Sequence, residues 1–128
     1  MTNIFTLPIF DKKLKQYRKK NPLLKKDYAE LLTLLQNNPT PSTSIPLKDK
    51  VYKIRMSNSS SNKGKSAGYR VYYFYKDTNN TLVLFYMHSK NDEVTINDVK
   101  LDKLIIECKI FFDDVQNPYH TENSQSNL

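Results

Sequence analysis

Apolar residues recur at helical spacing in two stretches near the amino terminus. Phe10, Leu14 and Tyr17 are separated by four and three positions, and lysines fill positions between them. This spacing predicts an amphipathic helix that ends at Asn21-Pro22, because the residue before a proline disfavours helical backbone. Asn21 is a typical cap for a second helix with Pro22 in its first turn. That helix is predicted from a second apolar stripe formed by Leu24, Tyr28, Leu31, Leu32 and Leu35.

The spacing of apolar residues changes to two in the middle of the chain. One side of residues 51–57 carries Tyr52, Ile54 and Met56, and the other carries Val51, Lys53 and Arg55. This alternation predicts a strand with two unlike faces. Two more strands are predicted at residues 69–76 and 81–88, joined by a polar turn at 76–80, and residues 4–7 suit a short edge strand.

A last helix is predicted after the strands. Thr95 and Asp98 form a helix start, and apolar positions follow at helical spacing at Leu101, Leu104, Ile105, Cys108, Phe111 and Phe112. Residues 39–50, rich in Pro, Ser and Thr, are predicted as a loop. The order β-α-α-β-β-β-α predicts an α+β domain in which an N-terminal helical hairpin packs on a small antiparallel sheet. We expect this single domain to span residues 1–115 and a polar, disordered tail to occupy residues 116–128.

The formal net charge of +7 is divided unevenly along the 128 residues. Residues 1–90 contain 17 basic and 5 acidic side chains, whereas residues 91–128 contain 3 and 8. A basic surface of this size favours a polyanionic partner such as nucleic acid. The acidic carboxyl-terminal part is explained equally well by the solvated side of a helix.

The sequence also excludes several classes of protein. Cys108 is the one cysteine, so a disulfide framework and a cysteine-based zinc site are excluded and a cytoplasmic location is favoured. No apolar run approaches the roughly 20 residues of a membrane helix, so we expect no membrane partner. His88 and His120 are far apart and no metal or nucleotide motif is present, so we expect no cofactor.

Two of the three arginines fall in neighbouring predicted strands. Arg18 lies in the first helix, whereas Arg55 and Arg70 lie in consecutive strands. A guanidinium holds a phosphate through two parallel hydrogen bonds, which the point charge of a lysine cannot do. Lys53 shares a strand face with Arg55, and Lys90 follows the third strand. We therefore expect these four cations to meet on one face of the sheet.

Other side chains near these cations are candidates for supporting roles. Tyr69 and Tyr86 are candidates for stacking on bases, and Lys63 and Lys65 are candidates for RNA binding. For most tyrosines of these strands, core packing is the better interpretation. His88 ends the third strand, where a proton-transfer role and an ordinary half-buried histidine are the two interpretations.

Three short segments carry the most distinctive pattern: residues 52–55 (YKIR), 65–71 (KSAGYRV) and 86–90 (YMHSK). In combination they resemble the RelE/ParE superfamily of bacterial type II toxins, nearest its RelE- and HigB-like members. The resemblance extends over residues 3–112 and follows the element order of that superfamily, which implies the same α+β fold.

The resemblance implies a ribosome-dependent endoribonuclease that cuts mRNA in the decoding site of the small ribosomal subunit and is silenced by a cognate antitoxin. Lys53 and Arg55 match the basic pair of the superfamily, Arg70 matches an arginine after a glycine-aromatic pair, and Lys90 matches a basic position after the last strand. Asn91 stands where some ribosome-cutting members have an arginine, and Asn97 stands near the position of a catalytic tyrosine.

Such cleavage needs no metal, because the 2′-OH of RNA attacks the adjacent phosphate to leave a 2′,3′-cyclic phosphate and a 5′-OH. Under this hypothesis Arg55 and Arg70 hold the scissile phosphate. Lys53 or Lys90 deprotonates the 2′-OH, and His88 is the reserve candidate for protonating the leaving oxygen. The same superfamily contains DNA gyrase inhibitors, so a gyrase inhibitor and a non-catalytic module that binds RNA or an antitoxin are the alternatives.

Overall fold

Three α-helices and five β-strands form the part of the chain that the computed structural model describes, residues 1–60 and 68–116. They are β1 (Asn3–Thr6), α1 (Pro8–Lys20), α2 (Leu24–Asn37), β2 (Ile45–Lys48), β3 (Val51–Met56), β4 (Tyr69–Lys76), β5 (Thr81–Ser89) and α3 (Asp98–Gln116). The chain divides into a unit at Met1–Thr95 and a second unit that begins at Ile96 and contains α3. The extent of the single domain, residues 1–115, stays a prediction.

The helical hairpin forms as predicted, but Asn21 has a different role. Pro8 begins α1, where its fixed φ and missing N–H cost nothing. The Asn21 carbonyl accepts a hydrogen bond from the Leu24 N–H, so Asn21 and Pro22 form a turn before α2. The Asn21 amide donates to the Tyr69 hydroxyl in β4. The prediction that Asn21 caps α2 is wrong, because its side chain connects the hairpin to the sheet instead.

The five strands form one mixed sheet in the order β1-β5-β4-β3-β2. β1 is parallel to β5, whereas the other pairs are antiparallel, as predicted for β3, β4 and β5. β2 lies in the segment that was predicted as a loop and contains Pro46, which a sheet tolerates on an edge strand. The predicted α+β class is confirmed, with one additional strand and a parallel edge.

The core of the first unit lies between the helical hairpin and one face of this sheet. The helices contribute Phe10, Tyr17, Leu24, Leu31 and Leu35, and the strands contribute Ile54, Met56, Tyr69, Val71, Tyr73, Leu82, Leu84 and Met87. The predicted alternation in β3 is therefore confirmed, because Ile54 and Met56 are buried while Arg55 between them is exposed. The opposite face of β3 carries the basic side chains.

Within the described residues, the second unit consists mainly of α3. The Asn97 side-chain oxygen accepts hydrogen bonds from the backbone N–H groups of Val99, at 2.8 Å, and Lys100, so Asn97 caps this helix. Leu101, Leu104, Cys108 and Phe112 are buried, at the helical spacing that the sequence predicted. None of the described helices combines the length and apolar character that crossing a membrane requires. The predicted tail, apart from Gln116 at the end of α3, lies outside the described residues.

Candidate functional site

Six side chains form two parallel rows across β3, β4 and β5. The first row consists of Arg55, Arg70 and His88, which are register partners in neighbouring strands. The second row, two residues along each strand, consists of Lys53, Tyr72 and Tyr86. Because side chains alternate between the two faces of a strand, Lys53, Arg55 and Arg70 project from the face opposite the helical hairpin. The register thus brings three of the four expected cations together.

A bulge in β5 keeps the two rows aligned. Tyr72 pairs with Tyr86 and Tyr73 pairs with Leu84, so Phe85 is an additional residue in β5. A bulge of this kind changes which face the following side chains use. Without it, the alternation from Leu84, which packs on the helices, would not place His88 beside Arg70.

Arg55 and Arg70 differ in their exposure. Arg55 is exposed, whereas Arg70 is 8% exposed and donates from Nη1 to the carbonyl of Gly68 at 3.3 Å. That bond uses one of the five N–H donors of a guanidinium and fixes the direction of the group. No acidic residue occurs anywhere in β3, β4 or β5. The two arginines therefore present positive charge that these three strands do not neutralise.

His88 is completely buried beside Arg70 and is hydrogen-bonded at both ring nitrogens. Nδ1 lies 3.0 Å from the Ser89 carbonyl oxygen, which can only accept, so Nδ1 carries a proton. Nε2 lies 2.8 Å from the hydroxyl of Tyr72, and in the neutral ring it accepts the hydroxyl proton. With both nitrogens occupied, His88 has no direct route to a leaving oxygen in this structure. Apart from the aromatic content of β4, no sequence pattern indicates Tyr72 as the partner of His88.

A groove of about 590 Å³ lies beside the cations, and its lining includes residues of α2, β2, β3 and β4. Lys53, Arg55 and Arg70 form its basic wall. Its other walls include the apolar side chains of Leu34, Ile45, Met56 and Val94. A groove of this size with a few convergent charged groups has the character of a ligand site.

Lys90, the fourth expected cation, is exposed in the turn after β5, at the end of the sheet where Arg55 and Arg70 also lie. The turn is fastened to α1 by Tyr17, whose hydroxyl accepts from the Ser89 N–H at 3.0 Å and donates to the Asp92 carboxylate. This bond holds the pKa of Asp92 below its usual value, and burial raises the pKa of Tyr17. Tyr17 is 75 positions from Asp92, so no sequence pattern reveals it.

The structure places the two candidate stacking tyrosines inside the protein. Tyr69 is 1% exposed in the core against the ring of Tyr17, so no face of its ring is open to a base. Tyr86 is completely buried, its hydroxyl donates to Glu93, and burial followed by that bond raises its pKa. This corrects the expectation that these two rings stack on RNA. Lys63 and Lys65 lie outside the described residues.

No group of three or more His, Cys, Asp or Glu side chains suited to a metal ion occurs within residues 1–60 and 68–116.

The fold of this chain is similar to that of a known toxin structure. The isolated E. coli RelE toxin matches 81% of this chain and 96% of its own, with a TM-score of 0.52. The chain has a RelE-like fold. The two sequences are 15% identical, so this likeness concerns the fold. A metal-bound toxin from Helicobacter pylori is 26% identical and covers 72% of this chain and 98% of its own, with a TM-score of 0.46. Neither a family model nor a curated protein sequence matches the chain.

The RelE-like fold confirms the fold that the sequence resemblance implied. Within this fold the basic residues that the resemblance selected, Lys53, Arg55 and Arg70, share one face and one groove. Asn97, near the position of a catalytic tyrosine in the superfamily, instead caps α3. The roles of the basic residues stay predictions.

Proposed function

We propose that this chain is the toxin of a type II toxin–antitoxin pair and acts in the cytoplasm as a metal-independent endoribonuclease on mRNA bound to the ribosome. The proposal is supported by the RelE-like fold, since the structural neighbour is a toxin. It also accounts for the basic character of residues 1–90, because charge attraction to RNA is long-ranged.

The observation that carries the proposal is the facing pair Arg55 and Arg70, with Lys53 two residues along the same face of β3. The two guanidinium groups provide the forked donors that hold a phosphate with negative charge on its oxygens. Arg70, anchored by Gly68, is pre-positioned for this task. Donors that are already in place stabilise a developing charge without reorganising during the reaction.

Each group has a defined part in the proposed reaction. Lys53, which shares the groove with the arginines, removes the proton from the 2′-OH as its oxygen bonds to phosphorus. Arg55 and Arg70 stabilise the charge on the pentacoordinate phosphate. The bond from phosphorus to the 5′ oxygen breaks, and that oxygen takes a proton from solvent or from Lys90. His88, held by Tyr72, packs beside Arg70 as a positioning residue.

The test is induced expression in a bacterial host, followed by mapping of mRNA 5′ ends. We expect growth arrest and new 5′-OH ends within translated codons, and their loss in Arg70→Ala. Arg18→Ala is the matched control, because Arg18 is an exposed arginine on α1 and belongs to neither row.

Two other outcomes would replace the proposal. Intact mRNA with broken chromosomal DNA would identify a gyrase inhibitor. Intact mRNA and DNA, with purified protein still binding RNA or an antitoxin, would identify a non-catalytic module. Full toxicity of Arg70→Ala alongside new mRNA ends would reject the phosphate-holding role of Arg70 while leaving the activity in place.

A further inference from the structure

The outer edge of β3 is only partly covered by β2. The last register pair between the two strands is Ile45 with Lys53, and within residues 1–60 and 68–116 no strand pairs with the remainder of β3 on that side. The chain leaves the edge there because residues 41–44 form a turn, closed by a hydrogen bond from the Ser44 N–H to the Pro41 carbonyl at 2.9 Å. Half of β3 is therefore an edge within the described structure.

The backbone groups at this edge are identified by the register. The Tyr75 N–H donates to the Lys50 carbonyl at 2.8 Å, which makes Lys50 and Tyr75 a hydrogen-bonded pair. Hydrogen-bonded pairs alternate along antiparallel strands, so Ile54 and Met56 direct their backbone groups toward β4. Arg55 directs its N–H and carbonyl outward, and Ser57 is next in this alternation. An incoming extended segment finds these groups in position for a sheet ladder.

The groove described above is lined by the same stretch of chain, residues 53–57, and has two unlike walls. On one face of β3 the wall is basic, with Lys53, Arg55 and Arg70. On the other it is apolar, with Met56 and with Leu34, which is 43% exposed. Successive side chains of a strand point to opposite faces. A strand added at this edge therefore directs alternate side chains toward Arg55, with Lys53 and Arg70 beside it, and the residues between toward Met56 and Leu34.

We propose that the uncovered edge of β3 binds an extended segment of a partner protein in which acidic and apolar residues alternate. The segment adds a sixth strand to the sheet, with acidic side chains toward Lys53, Arg55 and Arg70 and apolar side chains toward Leu34 and Met56. It rests on the proposed function in one respect: a partner bound here covers the cations that hold RNA and thereby silences the toxin.

The same charges argue against a second copy of this chain as the occupant. Pairing two copies of β3 would bring Lys53 and Arg55 of each strand against those of the other, and like charges across strands destabilise a sheet. Charged side chains are a common protection of edges against self-association. An acidic partner reverses the sign of this interaction, which gives the edge its specificity.

The direct test measures binding of a fluorescent peptide of about eight residues, alternating valine and glutamate, to the full-length protein by anisotropy. We expect saturable binding that weakens with added salt. A valine–lysine peptide of the same length should bind at least about tenfold more weakly, because like charges repel. A peptide with the same valines and glutamates in two blocks should also lose affinity, because only alternation serves both walls.

Amide hydrogen exchange locates the segment. On addition of the valine–glutamate peptide, exchange at Arg55 and Ser57 should slow, while Ile54 and Met56, already bonded to β4, should change little. Ser57→Pro removes the outward N–H and should abolish binding, whereas Ser57→Ala should retain it. If Ser57→Pro does not fold, the exchange measurement on the unaltered protein still decides.

Each contrary result overturns the proposal. These are equal binding of the valine–lysine peptide, unchanged exchange at Arg55 and Ser57, and self-association of the protein in sedimentation with protection of the same amides. None of these measurements involves RNA cleavage. Peptide binding without any new mRNA ends would therefore reject the proposed function alone. New mRNA ends without peptide binding would reject this inference alone.

Discussion

Arg55 and Arg70 lie directly opposite each other in β3 and β4, at a pair that exchanges no backbone hydrogen bonds. Such pairs bring opposite side chains closer together than the hydrogen-bonded pairs that alternate with them. Like charges in this position destabilise a sheet, and the strands β3 to β5 supply no acid to offset them. The arrangement opposes stability and favours binding of an anion between the two groups.

The first prediction concerns this opposition. Arg55→Gln should raise the free energy of unfolding in low salt by about 0.2–1 kcal/mol, because it removes one of two facing charges. The gain should shrink at high salt, where exposed charges are screened. Urea unfolding at two salt concentrations measures both effects, with Arg18→Gln as the control. A loss of stability in Arg55→Gln would show that the two guanidinium groups do not repel.

The second prediction separates charge from shape at Arg70. Arg70→Lys retains the positive charge but loses the fork and the bond to Gly68. We expect mRNA cleavage to slow by about 10²-fold, as when one pre-positioned donor is removed from an active site. The measurement is single-turnover cleavage of mRNA on purified ribosomes. A rate equal to that of the unaltered protein would mean that charge alone suffices.

The third prediction concerns the buried Tyr72–His88 bond. Tyr72→Phe removes the hydroxyl and leaves Nε2 of the buried His88 without that donor, which should cost about 1–3 kcal/mol of unfolding free energy. Tyr75→Phe is the matched control, because the Tyr75 hydroxyl bonds to Asn80 in a part-exposed position and should cost less. Equal losses in the two variants would contradict a special role for the buried bond.

The fourth prediction concerns Tyr17, which fastens the turn that carries Lys90. Tyr17→Phe should destabilise the protein by about 1 kcal/mol through loss of its hydrogen bonds. The loss should depend on pH. Because Tyr17 lowers the pKa of Asp92, their bond stabilises the fold above the ordinary value of 3.8, and that contribution disappears as the pH falls through the lower folded value.

The pH dependence is tested by measuring the unfolding of the unaltered protein and of Tyr17→Phe between pH 2 and pH 7, a range that spans the ordinary pKa of a carboxyl. The two stability curves should approach each other at the acid end, where the contribution of the charged Asp92 is lost. A constant difference across the whole range would mean that the Tyr17 hydroxyl does not act through the charged Asp92.

The fifth prediction concerns the thiol of Cys108. Burial, and then the nearby Glu107, raise its pKa to about 12, so almost no thiolate exists near neutral pH. We expect Cys108 to react with a thiol reagent only as the protein unfolds, and at once in denaturant. The rate of reaction at pH 8, compared with the unfolding rate, is the measurement. Fast labelling of the folded protein would contradict the burial of Cys108.

Periodicity was sufficient to predict the parts of the fold that have one buried and one exposed side. The stripe in α2 and the alternation of Ile54, Arg55 and Met56 in β3 are such cases, because burial of one face fixes the register. The face shared by Lys53, Arg55 and Arg70 followed from the same rule. For these residues, local sequence and tertiary packing agree.

The features that escaped prediction depend on distant partners. β2 has four residues including Pro46, and its pairing with β3 compensates for a sequence that resembles a loop. Tyr69 and Tyr86 are aromatic side chains of the kind that stack on bases, but Tyr69 packs on the helices and both are buried. Neither the pairing of β2 with β3 nor the burial of these tyrosines is indicated by the residues that neighbour them in the sequence. Prediction from one sequence cannot assign such side chains to the surface or the core.

The parallel pairing of β1 with β5 has a consequence for how the protein is made. β1 pairs with a strand that begins at Thr81, and the hydrogen bond between Thr2 and Asn80 joins residues that are 78 positions apart. Such a contact closes a long loop and forms late. A ribosome translating this protein therefore releases the residues between these two strands before β1 docks, and the sheet is completed only after β5 has been made.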